Sequence, residues 1–227
     1  MTSLAASAAL IGDPARAAML QALLPGEALT AGELARVAGI GAPAASAHLK
    51  ALTEGGLVGV HAQGRHRYHR LAGEEVATAL EALLALPAGG IRAPWPHGDA
   101  LRRARLCWGH LAGQLGVGLH GAMAAQGWIA PAPGGWQATP SGEAALRDLG
   151  VDLGAARAAP RFACDCMDWS ERRPHLAGGL AREVTAALLR RKWLVRPEAA
   201  SERPLRRRLL LCTPEGARQL QGLGIAA

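Results

Sequence analysis

Apolar residues recur at helical and strand spacings along the chain, and the breaks between these runs outline its elements. Leu4, Ala8 and Ile11 follow a helical period. Asp13-Pro14 then supplies a capping side chain and a residue preset for the first helical position. Ala18, Leu20, Leu23 and Leu24 form a second helical stripe, which Pro25-Gly26 ends. Thr30 and Glu33 have capping-box spacing ahead of Leu34 and Val37, with a stop at Gly39. A further helix is predicted over 44–54, with Leu49 and Leu52 inward and Gly55-Gly56 at its end. Residues 57–60, a polar tip at Gln63-Gly64 and residues 67–71 predict a hairpin, and an Ala/Leu-rich helix over 74–86 closes the module. Helix, short helix, turn, helix, hairpin and helix is the order of a winged helix-turn-helix, predicted over 1–87. Its second short helix would present its N-terminal half to the major groove of DNA, while the hairpin touches backbone or minor groove.

Residues 88–100 are crowded with Pro and Gly and predict a linker. Beyond it the chain repeats itself. Cys107-Trp108-Gly109-His110-Leu111-Ala112-Gly113 recurs as Cys166-Met167-Asp168-Trp169, a five-residue insert, and His175-Leu176-Ala177-Gly178. Each copy continues with a helix, a Trp followed by apolar residues, a strand-like stretch and Thr-Pro-x-Gly, at Thr139-Pro140-Ser141-Gly142 and Thr213-Pro214-Glu215-Gly216. The predicted fold is therefore mainly α with small β-hairpins: an N-terminal winged helix-turn-helix plus a C-terminal domain, 101–227, of two winged-helix-like repeats at about 101–150 and 160–227. Packing about a pseudo-twofold would bring Cys107 and Cys166 near one another.

Composition narrows the function class. Half of the residues are hydrophobic and 19% are charged, enough apolar material for a real core. No apolar run reaches roughly 18 residues and the first residues lack a basic n-region, so a cytoplasmic protein without a membrane partner is expected. Four cysteines are too few for a secreted disulfide framework, and reduced thiols are expected. The net charge of +7 does not by itself locate a DNA-binding face. Over 1–87 six Lys/Arg face seven Asp/Glu, whereas the rest of the chain carries 19 against 11. Locally, however, four of the eight histidines lie between His48 and Arg70, together with Arg65, Arg67 and Arg70. The later run Arg206-Arg207-Arg208 is expected to be a solvated strand edge.

The stretch Ile40-Gly41-Ala42-Pro43-Ala44-Ala45-Ser46-Ala47-His48-Leu49-Lys50-Ala51-Leu52-Thr53-Glu54-Gly55-Gly56-Leu57-Val58 resembles the recognition helix and first wing strand of the ArsR/SmtB family of bacterial repressors. The resemblance covers roughly the first 85 residues. It implies a homodimeric transcriptional regulator that represses from a roughly palindromic double-stranded DNA operator and is released by an effector. It places Ala42, Ala44, Ser46, His48 and Lys50 on the recognition helix and Arg65, His66 and Arg67 on the wing. Members often carry Ser-Gln where this chain has Gly41-Ala42, so direct base readout should be modest and backbone contact and DNA shape should weigh more. His48 has the competing role of a partly buried helix residue. The best-known metal sensors of the family carry cysteine in the helix before the recognition helix. Here residues 33–37 contain none, and the first 106 residues contain no thiol at all.

Thiol chemistry must then reside in the second half. Cys164-Asp165-Cys166 is the expected sensor, with Cys107 as third ligand and His110, His175 or Cys212 as alternatives to Cys107 in that place. A thiophilic metal or metalloid is the expected cofactor: three thiolates suit As(III) or Sb(III), four S/N ligands a tetrahedral Zn(II) or Cd(II). An oxidant is a second effector class for the same thiols. Buried cysteines also serve as small apolar residues, the competing role for all four. Trp108, Trp169 and Phe162 could instead wall a pocket for an organic effector, or the protein could bind DNA without any ligand. Cys166, His175 and Asp168 could be cast as nucleophile, base and orienter, but no recognisable catalytic fold accompanies them, and a non-enzyme is expected.

Overall fold

Side-chain caps set the start of the first helices in the computed structural model, which describes residues 4–63, 66–84, 86, 98–197 and 207–225. Helix α1 (Leu4–Ile11) leads to Asp13, whose carboxylate accepts the Arg16 N–H at 2.9 Å and starts α2 (Pro14–Leu23). After the short strand β1 (Leu29–Thr30), α3 (Ala31–Ala38) opens with the full capping box: the Thr30 hydroxyl accepts the Glu33 N–H, and the Glu33 carboxylate accepts the Thr30 N–H at 2.8 Å. Gly39 takes the left-handed conformation, φ 66°, that closes α3 and allows the turn into α4 (Ala42–Glu54). Strands β2 (Val58–Gln63) and β3 (His66–Leu71) pair antiparallel, with Val58 opposite Leu71 and Gln63 opposite His66. β1 adds to the other edge of β3, an edge strand too short for the alternation of apolar residues to show it. Helix α5 (Glu74–Leu84) follows.

These elements form one of two compact units, to which Arg207 and Arg208 also belong. Met19, Leu20, Leu23, Leu34, Leu49, Leu52, Val58 and Leu71 are its buried core, each large apolar side chain contributing about 1.5–3 kcal/mol. The expectation of a solvated Arg206–Arg208 edge is corrected: Arg208 is fully buried and ion-paired with Glu81 of α5, and Arg207 lies 3.8 Å from Glu27. A charge can be buried there because an opposite charge meets it. Arg206 lies outside the described residues, as do Arg65 and the segment 87–97.

The second unit takes up the described residues over 84–197 and from Leu209 onward. Helix α6 (Gly98–Arg103) covers the last three residues of the predicted linker, and the rest of that stretch lies outside the described residues. Then come β4 (Arg105–Cys107), β5 (His110–Ala112), α7 (Gln114–Ala125), β6 (Ile129–Ala132), β7 (Gly135–Ala138) and α8 (Pro140–Asp148). After α9 (Leu153–Ala158), the same order returns as β8 (Cys164–Met167), β9 (Pro174–Ala177), α10 (Gly178–Arg190), β10 (Leu194–Val195), β11 (Leu211–Cys212) and α11 (Pro214–Gly222). Each strand pair is its own two-stranded antiparallel sheet.

Equivalent residues make equivalent local contacts. Thr139 and Thr213 cap α8 and α11 by accepting the N–H of Gly142 and Gly216, each at 3.0 Å. Any Cβ on those glycines would overlap the Trp128 and Trp193 carbonyls. Leu106, Leu111, Leu115, Leu119 and Met123 from the first series and Leu176, Leu180, Val184, Leu188 and Leu220 from the second share one buried core.

Candidate nucleic-acid interface and candidate metal centre

Helix α4 has two faces. Ala45, Leu49 and Leu52 are buried, and Ala42, Ala44, Ser46 and Lys50 are exposed. This 3.6-residue alternation leaves a shallow outer surface on which small side chains let the backbone come close to a partner. Lys50 is paired loosely with Glu54 at 3.8 Å. His48 is turned toward α2: its Nδ1 is 3.4 Å from Arg16 Nη1 and 3.9 Å from Asp13 Oδ1. It therefore joins the cap of α2 rather than the outer surface, the competing role foreseen for it. The Asp13 carboxyl is held below the usual carboxylate range, chiefly by the Arg16 N–H.

On the hairpin, Arg67 and Arg70 are exposed and His69 is buried. Burial pushes the His69 imidazole below its ordinary pKa, and Arg67 nearby acts in the same direction. Arg65 and the His66 side chain lie outside the described residues. The wing thus presents a cationic rim above an uncharged, buried root.

In the second unit four side chains converge that the sequence scatters over 69 positions. The segment 164–167 is strand β8, and its alternation buries Cys164 and Cys166 while exposing Asp165 and Met167. Cys166 is the register partner of His175, and Cys107 is the register partner of His110, so each hairpin offers one thiol and one imidazole side by side. Hairpin β4–β5 closes through a two-residue turn in which Trp108 (φ 49°) and Gly109 (φ 85°) both take left-handed backbone, as a type I′ turn requires. β5 packs against β9. The Cys107 and Cys166 sulfurs come within 4.0 Å, and the His110 and His175 Nε2 atoms within 3.1 Å. One donor atom from each of the four residues lies within 4.8 Å of every other, and all four residues are buried. No other group of three or more His, Cys, Asp or Glu donors is so assembled among the described residues.

The surroundings fix these groups. Asp168 is completely buried and accepts from Arg105 at 2.8 Å, the Gly113 N–H at 2.6 Å and the Ser170 hydroxyl at 2.6 Å, while its Oδ2 stands 3.4 Å from His175 Nδ1. Burial alone would raise its carboxyl pKa, but Arg105 and these donors hold it well below the usual range. Arg105, 1% exposed, also stacks over the Trp169 ring at 4.5 Å. The hydrogen bond with Cys107 lowers the Cys166 thiol far below its ordinary value against the opposing cost of burial, and His110 and His175 add to the lowering.

The cysteine pair expected to chelate together is split in this arrangement. Cys166 and Cys107 belong to the group of four. Cys164 sits two residues along β8 in the same small apolar cluster but is not one of the four donors. Cys212 lies on β11, its thiol raised by burial. His110 and His175 are strand residues facing each other. Sequence symmetry was the signal that could have promoted them, since each stands at the matching place in its repeat. All four cysteines are thiols. Trp169 lies under Arg105, and Phe162 packs on the shared core. An open groove of about 770 Å³ along α7 is lined by Gln114, Gly118, Gly121, Ala125, Glu171 and Arg173 among others, and by no tryptophan. Cys166, His175 and Asp168 are near one another but sealed, at 8%, 1% and 0% exposure, which gives a substrate no approach to the sulfur. No helix among the described residues is long and apolar enough to cross a membrane.

Known proteins resemble this chain in sequence. The family described as "Helix-turn-helix domain" matches residues 11–61, the stretch from the end of α1 into β2. The uncharacterized HTH-type transcriptional regulator YdfF of Bacillus subtilis (strain 168) is 35% identical over 198 residues, 86% of this chain and 88% of that protein. Among solved structures, the homodimeric winged helix-turn-helix DNA-binding domain of Mb0332 from Mycobacterium bovis, a possible ArsR-family regulator, is 33% identical over 36% of this chain and 73% of its own, with a TM-score of 0.33. Reduced HlyU from Vibrio cholerae is 26% identical over 37% of this chain and 87% of its own, with a TM-score of 0.34. Both structures match about a third of this chain, whereas the similarity to YdfF runs through both units. The chain belongs to the HTH-type transcriptional regulators, which are DNA-binding proteins and not enzymes.

Proposed function

We propose that the protein is a homodimeric, ArsR-like repressor that binds a palindromic operator and is released by an effector held in its second unit. Helix α4 enters the major groove with Ala42, Ala44, Ser46 and Lys50 toward the bases, and Arg65, His66 and Arg67 at the wing grip the sugar-phosphate backbone. His48 acts indirectly, holding α4 on the cap of α2. The observation that carries this is the exposed, small-residue face of α4 opposite its buried Ala45, Leu49 and Leu52. Dimerisation is supported by α1, which buries none of its residues within the chain, and by the exposed Leu4, Leu83 and Leu86. The second unit is read as two winged-helix-like repeats that have kept the hairpins and closing helices of that fold and taken up ligand binding.

Selection of binding sites from random duplex DNA, followed by footprinting, tests the proposal. A palindromic site protected by a dimer is expected. The wing cations Arg65, Arg67 and Arg70 number three per protomer. Six phosphate contacts per dimer bound the slope of log K against log salt at about −5. Arg67→Ala should flatten that slope by about 2 per dimer and weaken all sequences alike, whereas Ser46→Ala should change the preferred site. Equal affinity for selected and random DNA would refute operator recognition.

A further inference from the structure

We propose that Cys107, His110, Cys166 and His175 form a closed, four-ligand site for a divalent ion of the zinc class, clasping the two equivalent hairpins of the second unit. The S–S and N–N edges are already close to those of a tetrahedron, and every S–N edge is within 4.8 Å. With metal–sulfur bonds of about 2.3 Å and metal–nitrogen bonds of about 2.0–2.1 Å, tetrahedral angles require an S–S edge of about 3.8 Å and an N–N edge of about 3.3 Å. The observed edges are 4.0 Å and 3.1 Å. Three-thiolate coordination of As(III) or Sb(III) would need a third sulfur among the donors, and the group of four contains two.

Three further features fit a metal. Each ligand pair is a cross-strand register pair, so two short hairpins supply a chelate each without any loop having to order. The pairs come from separate hairpins, so an ion would close a ring spanning residues 107 to 175 and hold β4–β5 against β8–β9. The outer shell is present as well. Asp168 Oδ2 stands 3.4 Å from His175 Nδ1, not aligned as a hydrogen bond but near enough to become its partner, and Asp168 is itself fixed by Arg105 and the Gly113 N–H. A carboxylate behind a ligating imidazole is the usual way proteins select its tautomer and orient its ring. Mixed thiolate and imidazole donors in tetrahedral array favour Zn(II), and four protein ligands leave no open position for a substrate.

The test uses the full chain, stripped of metal with a chelator and kept under a thiol-free reductant, and titrated with Co(II) as the spectroscopic probe. One equivalent per chain should bind, with the strong visible bands of a tetrahedral ion and a thiolate charge-transfer band, and one equivalent of Zn(II) should abolish both. X-ray absorption of the zinc-loaded wild type should show two sulfur and two nitrogen neighbours. This measurement stands even where variants fail to fold. Cys107→Ser and His175→Gln should each lose the tetrahedral cobalt spectrum, while Cys164→Ser and Cys212→Ser keep it. An octahedral cobalt spectrum, an all-oxygen and nitrogen shell, no binding, or loss of the spectrum in Cys164→Ser with retention in Cys107→Ser would each overturn the site. Operator binding is measured on the same preparations: failure there with cobalt still bound refutes the repressor and leaves the metal site standing. The converse result spares the repressor alone.

Discussion

Replacing Asp168 by Asn should bring the second unit close to unfolding, and the size of the loss follows from its partners. Oδ1 of Asp168 accepts Arg105 Nη2 at 2.8 Å, the Ser170 N–H at 2.9 Å and the Glu171 N–H at 3.1 Å, all of which an amide oxygen can still accept. Oδ2, which receives the Gly113 N–H at 2.6 Å, becomes an NH₂ group facing another donor. Arg105, 1% exposed, loses its counter-charge. Removing one partner of a buried ion pair costs about 3–5 kcal/mol, and one unsatisfied buried donor a further 1–3 kcal/mol. The sum of roughly 4–8 kcal/mol compares with a total of about 5–15 kcal/mol for a typical domain. Urea unfolding of metal-free protein, followed by tryptophan fluorescence, measures the effect; all six tryptophans lie at or beyond Trp95. The double variant Asp168→Asn, Arg105→Met should recover at least about 2 kcal/mol, because no charge is then stranded. A loss below about 1 kcal/mol in the single variant, or additive losses in the double, would refute the account of a buried pair locking the hairpin.

Other outcomes follow from single positions. Burial holds the folded His69 imidazole below its ordinary pKa, so the unfolded chain binds the extra proton first. Stability of the first unit is therefore intact above pH of about 6.5 and is lost as the pH falls from there toward the folded value; His69→Phe should flatten this decline in urea midpoints measured between pH 7.5 and 5. Lys192 sits at φ 56°, where the first series has Gly127 at φ 69°. Lys192→Gly should raise stability by up to about 1 kcal/mol, and a lower thermal midpoint would show the strain is absent. Thr213→Ala and Thr139→Ala remove matching caps and should each cost about 1 kcal/mol by denaturant unfolding.

Local chemistry made the first unit legible from its residues. Asp13-Pro14, the Thr30 and Glu33 box and Gly39 act within four residues of where they stand, so reading them needs no knowledge of the fold. β1 escaped because two residues carry no period, and Arg208 escaped because its partner Glu81 lies 127 positions earlier. The metal-site ligands were half legible. Symmetry between the repeats placed Cys107 beside Cys166, yet adjacency along the chain favoured Cys164, and a histidine before Leu-Ala-Gly looks like a helix start until its strand is known. Residues two apart on a strand share a face, but they need not share a ligand: Cys164 and Cys166 are both buried, and only the second is one of the four assembled donors.

Repetition in the second unit has a consequence for how such a centre can be built. One hairpin carrying a Cys and a His in register offers half a tetrahedron, which binds weakly and closes nothing. Two copies related by the repeat double the donors and bring them together with no new loop. The copies are not identical, however. The first turns through Trp108-Gly109, whereas the second makes a longer loop that carries Asp168, Ser170 and Glu171. That loop supplies the buried carboxylate behind His175 and the partner for Arg105 of the other hairpin. The longer loop therefore ties the two hairpins together by charge and sets a carboxylate 3.4 Å from one imidazole. The Arg105–Asp168 pair joins the hairpins through the protein's own groups, so binding of an ion need not supply all the affinity that brings the donors together.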